Sequence, residues 1–408
     1  MAVSKLARIG VLAAAVGANC VHASEAVLTS VAQNIHVDGW SESSPPESPI
    51  KWSIKKITLH GGKQEGVDLI EVDNGKLTFT VIPTRGMGLL RAQMGDIRLG
   101  WDSPVKEVVN PAYINLDSRG GLGWLDGFNE WVPRAGIEWA GHPGKDGSRF
   151  LSLHGRIEEI PASEVTVSVD EGTTPTIHIK GVVNEVSMFG ANLQLRTDIS
   201  TVVGSGHIVL SDTIANLGKL PQEFQIIYHS NYGEPLLEGG SRFVAAIKEV
   251  RPLDGVAAKG LADYATYEPP KTGFVEQVYG MVPYGDAKND TTVMLRNAAG
   301  DKAVTLTYPL SSLPYLSLWK NTGAKGEAYV TGLEPATGYA ANRSLERKAG
   351  RVPVLQPGAS RDFRIDFAIL DNKTAVERAG AAIKAIQNDR PTALNMETIK
   401  PCCLSVAE

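Results

Sequence analysis

Val165-Thr166-Val167-Ser168-Val169, the break Asp170-Glu171-Gly172-Thr173-Thr174-Pro175, and then Thr176-Ile177-His178-Ile179-Lys180 form two alternating runs around a turn. A period of two puts every second side chain on one face, so each run reads as a half-buried strand. Together they read as a β-hairpin with a longer loop. Outward from this hairpin, similar runs recur at 77–82, 193–200, 207–214, 224–229, 291–296, 303–308, 315–319, 328–333 and 361–370, separated by Gly, Asn, Asp and Pro. No strand–helix–strand rhythm interrupts them, so the expected fold is all-β: a large antiparallel β-sandwich with few short helices, over residues 51–372. Glycine, 42 of 408 residues, exceeds the usual share of about 7% and agrees with a turn-rich chain.

One helix stands out, Ala375 to Gln387. Thr374 and Glu377 stand in a capping-box relation, and Val376, Ala379, Ile383 and Ile386 share a face at helical spacing. Residues 373–408 therefore read as a helix and tail packed on or trailing from the same domain, and a shorter helix is expected around Pro104–Asn110. At the other end, Lys5 and Arg8 precede the apolar stretch Ile9 to Ala18, and Val21-His22-Ala23 offers small residues for cleavage before Ser24. Residues 1–23 read as a signal peptide, and the protein as exported, periplasmic or secreted. Residues 24–50, ending in Ser41-Glu42-Ser43-Ser44-Pro45-Pro46-Glu47-Ser48-Pro49, read as a flexible entry arm.

The net charge of -5, which loses Lys5 and Arg8 with the signal, gives no basic footprint for nucleic acid and no attraction to anionic membrane surfaces. No stretch reaches the roughly 18 apolar residues of a membrane span. Of 3 Cys, Cys20 leaves with the signal, and the adjacent Cys402 and Cys403 are poorly spaced to bridge each other, so they read as tail. A monomer or homodimer is expected.

Histidines and carboxylates carry the candidate chemistry. His178 and His207 lie within or at the start of strand alternation and read as structural. His60 and His142 lie in glycine-rich loops and read as exposed turns. His229 ends the run Phe224-Gln225-Ile226-Ile227-Tyr228, and Glu334 follows Ala328-Tyr329-Val330-Thr331-Gly332-Leu333, so strands deliver both to a sheet rim as a candidate acid and base. Neither His-x-His nor His-Glu-x-x-His spacing occurs, and Gly86-Met87-Gly88 lacks the third glycine of a dinucleotide loop, so no metal and no cofactor are expected.

Leu153-His154-Gly155, Tyr228-His229-Ser230-Asn231 and Gly332-Leu333-Glu334-Pro335-Ala336-Thr337, in this order, resemble the galactose mutarotase (aldose 1-epimerase) superfamily. Ile82-Pro83-Thr84-Arg85-Gly86-Met87-Gly88, the stretch 124–144 and Glu276-Gln277-Val278-Tyr279 resemble more closely its poorly characterised aldose-epimerase-like branch. The resemblance covers about residues 55–370. It implies a β-supersandwich that binds a free or oligomeric sugar and interconverts its anomers by acid–base ring opening. It further implies Glu334 as the ionised base, His229 as the imidazolium acid and His154 as a substrate-binding histidine. The family's substrate-binding arginine has two candidates here, Arg85 first and Arg134 second. Where mutarotases carry Asn-His at the acid, this chain has Tyr228-His229. Trp124, Trp131, Trp139 and Trp319 are candidate platforms for a pyranose face, with Trp139 favouring packing. Asn231 and Gln277 are amides able to read sugar hydroxyls. The alternatives are a sugar-binding protein without turnover, or another sugar isomerase or lyase on the same scaffold.

Overall fold

The computed structural model describes residues 24–399, apart from 171 and 173. The expected signal peptide and the Cys402-Cys403 pair lie outside the described residues.

The opening hairpin forms as read. Glu164–Asp170 and Thr176–Val186 pair antiparallel, with Val167 opposite Ile179 and Val169 opposite Ile177. Val165, Val167, Val169, Ile177 and Ile179 are all buried, so the period-two face is the core face. The hairpin belongs to a ten-stranded sheet in the order Arg242–Ala245, Asp290–Arg296, Ala303–Pro309, Ser360–Leu370, His207–Asn216, Asn192–Val202, Thr176–Val186, Glu164–Asp170, Ser24–Ser30 and Ile35–His36.

A six-stranded sheet runs from Trp40–Ser43 through Ser53–Thr58, Asp68–Asp73, Thr78–Ile82 and Gly88–Met94 to Ile97–Leu99. An eight-stranded sheet carries Ala393–Leu394, Ile247–Pro252, Gln277–Pro283, Tyr315–Thr322, Tyr329–Ala336, Gln225–Tyr228 and Arg134–Ile137, with Ser230–Tyr232 also paired to Tyr329–Ala336. Bridges between Leu89 and Val132, and between Gly100 and Tyr232, join the two smaller sheets. The principal core draws on all three sheets, for example Val81 and Leu89, Ile179 and Leu195, and Ile226 and Leu318. Each such side chain contributes about 1.5–3 kcal/mol by leaving water. The fold is thus the expected all-β sandwich.

Residues 24–50 depart from the reading as a flexible arm. Ser24–Ser30 pairs with Glu164–Asp170, and Trp40–Ser43 with Ser53–Thr58, so the segment extends one edge of each of two sheets. The Pro and Ser cluster that prompted the reading begins inside the strand Trp40–Ser43, and its prolines fall in the turn between Ser43 and Ser53. Leu28, fully buried, anchors the first strand in the core.

The C-terminal helix spans Lys373–Gln387, two residues longer at its start than expected. Its cap is Asn372, whose side chain accepts from the Ala375 amide at 2.9 Å, rather than Thr374. Val376 and Ile383 are buried against Met294 and Ala303 of the ten-stranded sheet, with Ala379 and Ile386 alongside, as the helical spacing predicts. No helix forms over 104–110; a 3-10 turn follows at Pro111–Tyr113, capped by Asn110. Among the described residues no helix is long and apolar enough to cross a membrane.

Candidate active site

Gln225–Tyr228 and Ser230–Tyr232 flank His229, and Glu334 sits inside Tyr329–Ala336, opposite Ser317. Neither residue ends its strand at a sheet rim as expected: pairing resumes at Ser230 directly after His229, and the strand around Glu334 continues to Ala336, every residue of it buried. His229 Nε2 lies 3.3 Å from Glu334 Oε1. The approach lacks hydrogen-bond alignment, and Oε1 has no other partner. Both side chains open into a cavity of about 230 Å³ lined by Leu122, Trp124, Leu125, Phe128, His142, Leu153, His154, Glu276, Val278, Trp319 and Ala340. That lies below the roughly 300–1,000 Å³ of drug-sized clefts, in the size class of one small ring.

The walls are aromatic. Trp124 stacks on Phe128 (centroids 4.5 Å apart) and meets His154 edge-on at 4.7 Å. His229 stands 5.4 Å from Phe128, 5.5 Å from Trp319 and 5.2 Å from His154. Trp319 donates its indole N–H to Glu276 Oε2 at 2.7 Å, which holds that carboxylate at the mouth. The Trp124 indole N–H is buried without an acceptor.

His154 is placed by an unusual backbone. Its own φ is 59° and that of Gly155 is 77°. A Cβ on Gly155 would stand 2.2 Å from the Trp139 carbonyl oxygen, so only glycine lets the chain turn there.

Burial moves the protons in the pocket. It pushes Glu334 up to about 8, with the nearby Glu276 charge adding to the effect. It pushes His229 down to about 4 against the hydrogen bond that its ring donates to Asn231 Oδ1. His154 falls well below the ordinary histidine range through burial and its two histidine neighbours, His229 and His142. His142 is also lowered by burial. The resting pair is therefore a neutral carboxyl beside a neutral imidazole, not the expected carboxylate beside an imidazolium.

Neither candidate arginine reaches the cavity. Arg85 is wholly buried and bonded to Glu130, Glu158 and Glu159, with a further bond to the Val109 carbonyl oxygen at 3.0 Å. Arg134 is bidentate to Asp212 at 2.6 and 2.9 Å and donates to the carbonyl oxygens of Gly86 and Met87 and to Thr197. Every guanidinium face is thus turned to a partner inside the sandwich. Asn231 is also buried, behind His229 rather than facing the cavity. Gln277 accepts from the Tyr279 hydroxyl at 3.0 Å, while its neighbour Val278 faces the cavity, so strand alternation turns Gln277 away.

Three lining residues with chemistry were not singled out as site residues in the sequence: Phe128, His142 and Glu276, whereas Trp124 lines the cavity as one of the expected platforms. All three lay in stretches that carried the family resemblance, 124–144 and Glu276–Tyr279, but the glycine-rich flanks of His142 made it read as an exposed turn, whereas it is half-buried and lines the cavity. Trp131 packs in the core on Phe367 at 5.0 Å. Trp139 is packed too, its N–H bonded to the Ser152 carbonyl oxygen and its ring covered by the Arg149 and Arg156 guanidinium groups. A larger depression of about 650 Å³ lies on the outer face of the ten-stranded sheet, among Lys180, Arg196, Asp198, Asp362 and Arg364. It is a solvated charged surface of mixed sign without a buried unpartnered group, so the chemistry belongs to the smaller cavity.

Residues 64–369 match the model of the family described as a domain of unknown function, DUF4432. A solved structure from Klebsiella pneumoniae subsp. pneumoniae MGH 78578, provisionally named aldose 1-epimerase, is 42% identical, covers 92% of this chain and 98% of its own, and superposes with a TM-score of 0.90. A galactose mutarotase-like protein from Clostridium acetobutylicum is 13% identical over 82% of this chain and 99% of its own, with a TM-score of 0.50. Galactose 1-epimerase from Lactobacillus acidophilus NCFM is 11% identical over 78% and 99%, also at 0.50; at this distance the likeness is one of fold. No curated protein matches the chain.

Proposed function

Since the chain belongs to the DUF4432 family and has the galactose mutarotase-like fold, we propose that it is a sugar 1-epimerase acting through Glu334 and His229. The observation that carries this reading is the 3.3 Å pair of a carboxyl and an imidazole at the back of a small aromatic cavity. Between them the pair holds one proton at neutral pH. When that proton lies on Nε2, Glu334 takes the proton of the anomeric hydroxyl. The C1–O5 bond breaks as C1=O1 forms, and His229 protonates O5. The protons have then changed places, and the resting state, with the carboxyl protonated, is the one that closes the ring. After rotation about C1–C2, Glu334 returns its proton to O1 while His229 removes that of O5. Positioned acid–base help of this kind is worth roughly 10²–10⁴-fold.

Trp124, Phe128 and Trp319 supply apolar faces for the ring, and His154 a polar edge. Glu276 and Glu334 are the formal acids of the lining, and no Arg or Lys stands with them among the described residues. A neutral sugar suits this wall better than a sugar acid or phosphate, whose charge would meet no counter-ion. Saturation-transfer NMR of anomer exchange over a panel of neutral aldoses tests the reading. Wild type accelerates exchange and Glu334→Gln loses about 100-fold or more; no acceleration on any sugar, or full activity in the variant, removes it.

A sugar-binding protein without turnover is the second reading, favoured by the uncharged resting pair. Sugar affinity retained in Glu334→Gln, together with no exchange in wild type, selects it. Export is a separate proposal from Lys5, Arg8 and Ile9–Ala18, checked by mass spectrometry for a mature chain starting at Ser24.

A further inference from the structure

We propose that Asn231 is the positioning residue that fixes which nitrogen of His229 does the proton transfer, holding Nδ1 as the donor and leaving Nε2 to face Glu334. Asn231 has one amide nitrogen that can only donate and one oxygen that can only accept. Its Nδ2 is 3.1 Å from the Glu130 carbonyl oxygen and 2.8 Å from that of His229. Both are acceptors, so the amide cannot be turned round without setting oxygen against oxygen twice. Oδ1 is then the atom 2.8 Å from His229 Nδ1, and Nδ1 must carry the hydrogen. A neutral imidazole has only one N–H, so its Nε2 is bare, 3.3 Å from Glu334 Oε1.

The arrangement is built into a buried frame. Asn231 is fully buried, its backbone amide donates to the Trp131 carbonyl oxygen at 2.7 Å, and its strand pairs opposite Gly332, two residues from Glu334. Glu130, whose carbonyl oxygen receives Asn231, is itself held by Arg85. The arginine expected at the substrate thus acts two steps behind the histidine. The i, i+2 spacing of His229 and Asn231 along extended chain is what puts both side chains on one side. The other groups facing His229 are the rings of Trp124, Phe128, Trp319 and His154 and the carboxyl of Glu334; none of them is hydrogen-bonded to Nδ1.

The test separates this inference from the epimerase reading on which only its activity arm rests. Long-range ¹H–¹⁵N spectra of ¹⁵N-histidine-labelled full-length protein, with His229 assigned by its absence in His229→Gln, report the tautomer directly near neutral pH. Wild type is expected to show protonated Nδ1 and bare Nε2. Asn231→Leu, of similar size but without an acceptor, is expected to populate the other tautomer, and Asn231→Asp to keep Nδ1–H and move His229 protonation to higher pH. In anomer exchange, Asn231→Leu should lower kcat roughly 10- to 100-fold with a smaller change in KM. Asn231→Asp should restore part of that loss and shift the acid limb of the pH profile upward. A wild-type spectrum with Nε2 protonated and Nδ1 bare overturns the inference, as does an unchanged tautomer and protonation midpoint in both folded variants. If no sugar is turned over, the spectra still decide the tautomer, and the failure belongs to the epimerase reading alone.

Discussion

Glu334 and His229 are displaced by burial in opposite directions, and the pH dependence of the site follows from the sign of each shift. Below about 4 His229 gains a proton while Glu334 keeps its own, and the pair loses its base. Above about 8 Glu334 releases the one shared proton, and the pair loses its acid. Both limits belong to the pair rather than to either residue. Anomer exchange is therefore expected to hold level between about pH 4 and pH 8 and to decline on both sides, read from a pH–rate profile. Activity still climbing from pH 8 to 10 would rule out the shared proton. At this scale the sequence was partly legible. The two residues at the ends of apolar runs, His229 and Glu334, meet in space, as does His154. The arginines were misread because a glycine-flanked Arg looks the same whether its partners are sugar hydroxyls or buried carboxylates. The carboxylate partners of Arg85 lie 45 to 74 residues away in the chain, beyond the reach of local pattern.

Strand Tyr329–Ala336 shows what an element contributes beyond carrying a residue. Gly332 shares a face with Glu334, and a Cβ added there would stand 2.5 Å from Glu334 Oε1. The obstructing atom is the end of a flexible side chain, so Gly332→Ala should fold normally while turning the carboxyl away from His229. A loss of about 100-fold in exchange, with an unchanged melting temperature, is the expected outcome. The C-terminal helix makes a separate prediction. Asn372 makes the cap bond to Ala375, whereas Thr374 is exposed inside the first turn. Asn372→Ala should cost about 1 kcal/mol and Thr374→Ala only tenths, measured by urea unfolding. Apolar spacing located this helix and its buried face, but the capping-box pattern put the cap at Thr374, two positions after Asn372. Only the extended backbone at Asn372, φ -152° and ψ 154°, decides between them.

Across the whole molecule, period-two alternation was enough to give the class and most strand positions, because one face of each sheet is buried and cannot slip by a residue without exposing its core side chains. It could not give the partition into ten, eight and six strands, which depends on pairings such as Ser24–Ser30 with Glu164–Asp170, some 140 residues apart. Nor could it show that Arg134 ties the layers together. From the eight-stranded sheet it reaches Asp212 and Thr197 of the ten-stranded sheet and the backbone leading into Gly88–Met94 of the six-stranded one. The Arg85 cluster carries a different consequence for the molecule, a proton inventory of folding. One guanidinium faces three carboxylates there, and burial keeps Glu158 protonated well above its usual range and brings Glu159 to about 7. With Glu334 at about 8, the folded chain holds protons at pH 7.5 that the unfolded chain, with free carboxyls near 4.3, gives up. Stability should therefore fall as pH rises from about 6.5 to 8; below that window the buried, hard-to-protonate His229, His154 and His142 act in the opposite sense. Scanning calorimetry at pH 7.5 makes the inventory visible. Protons released on unfolding are taken up by the buffer, so the apparent enthalpy should be smaller in Tris, which binds protons exothermically, than in phosphate. Equal enthalpies would mean that the folded chain holds no such excess.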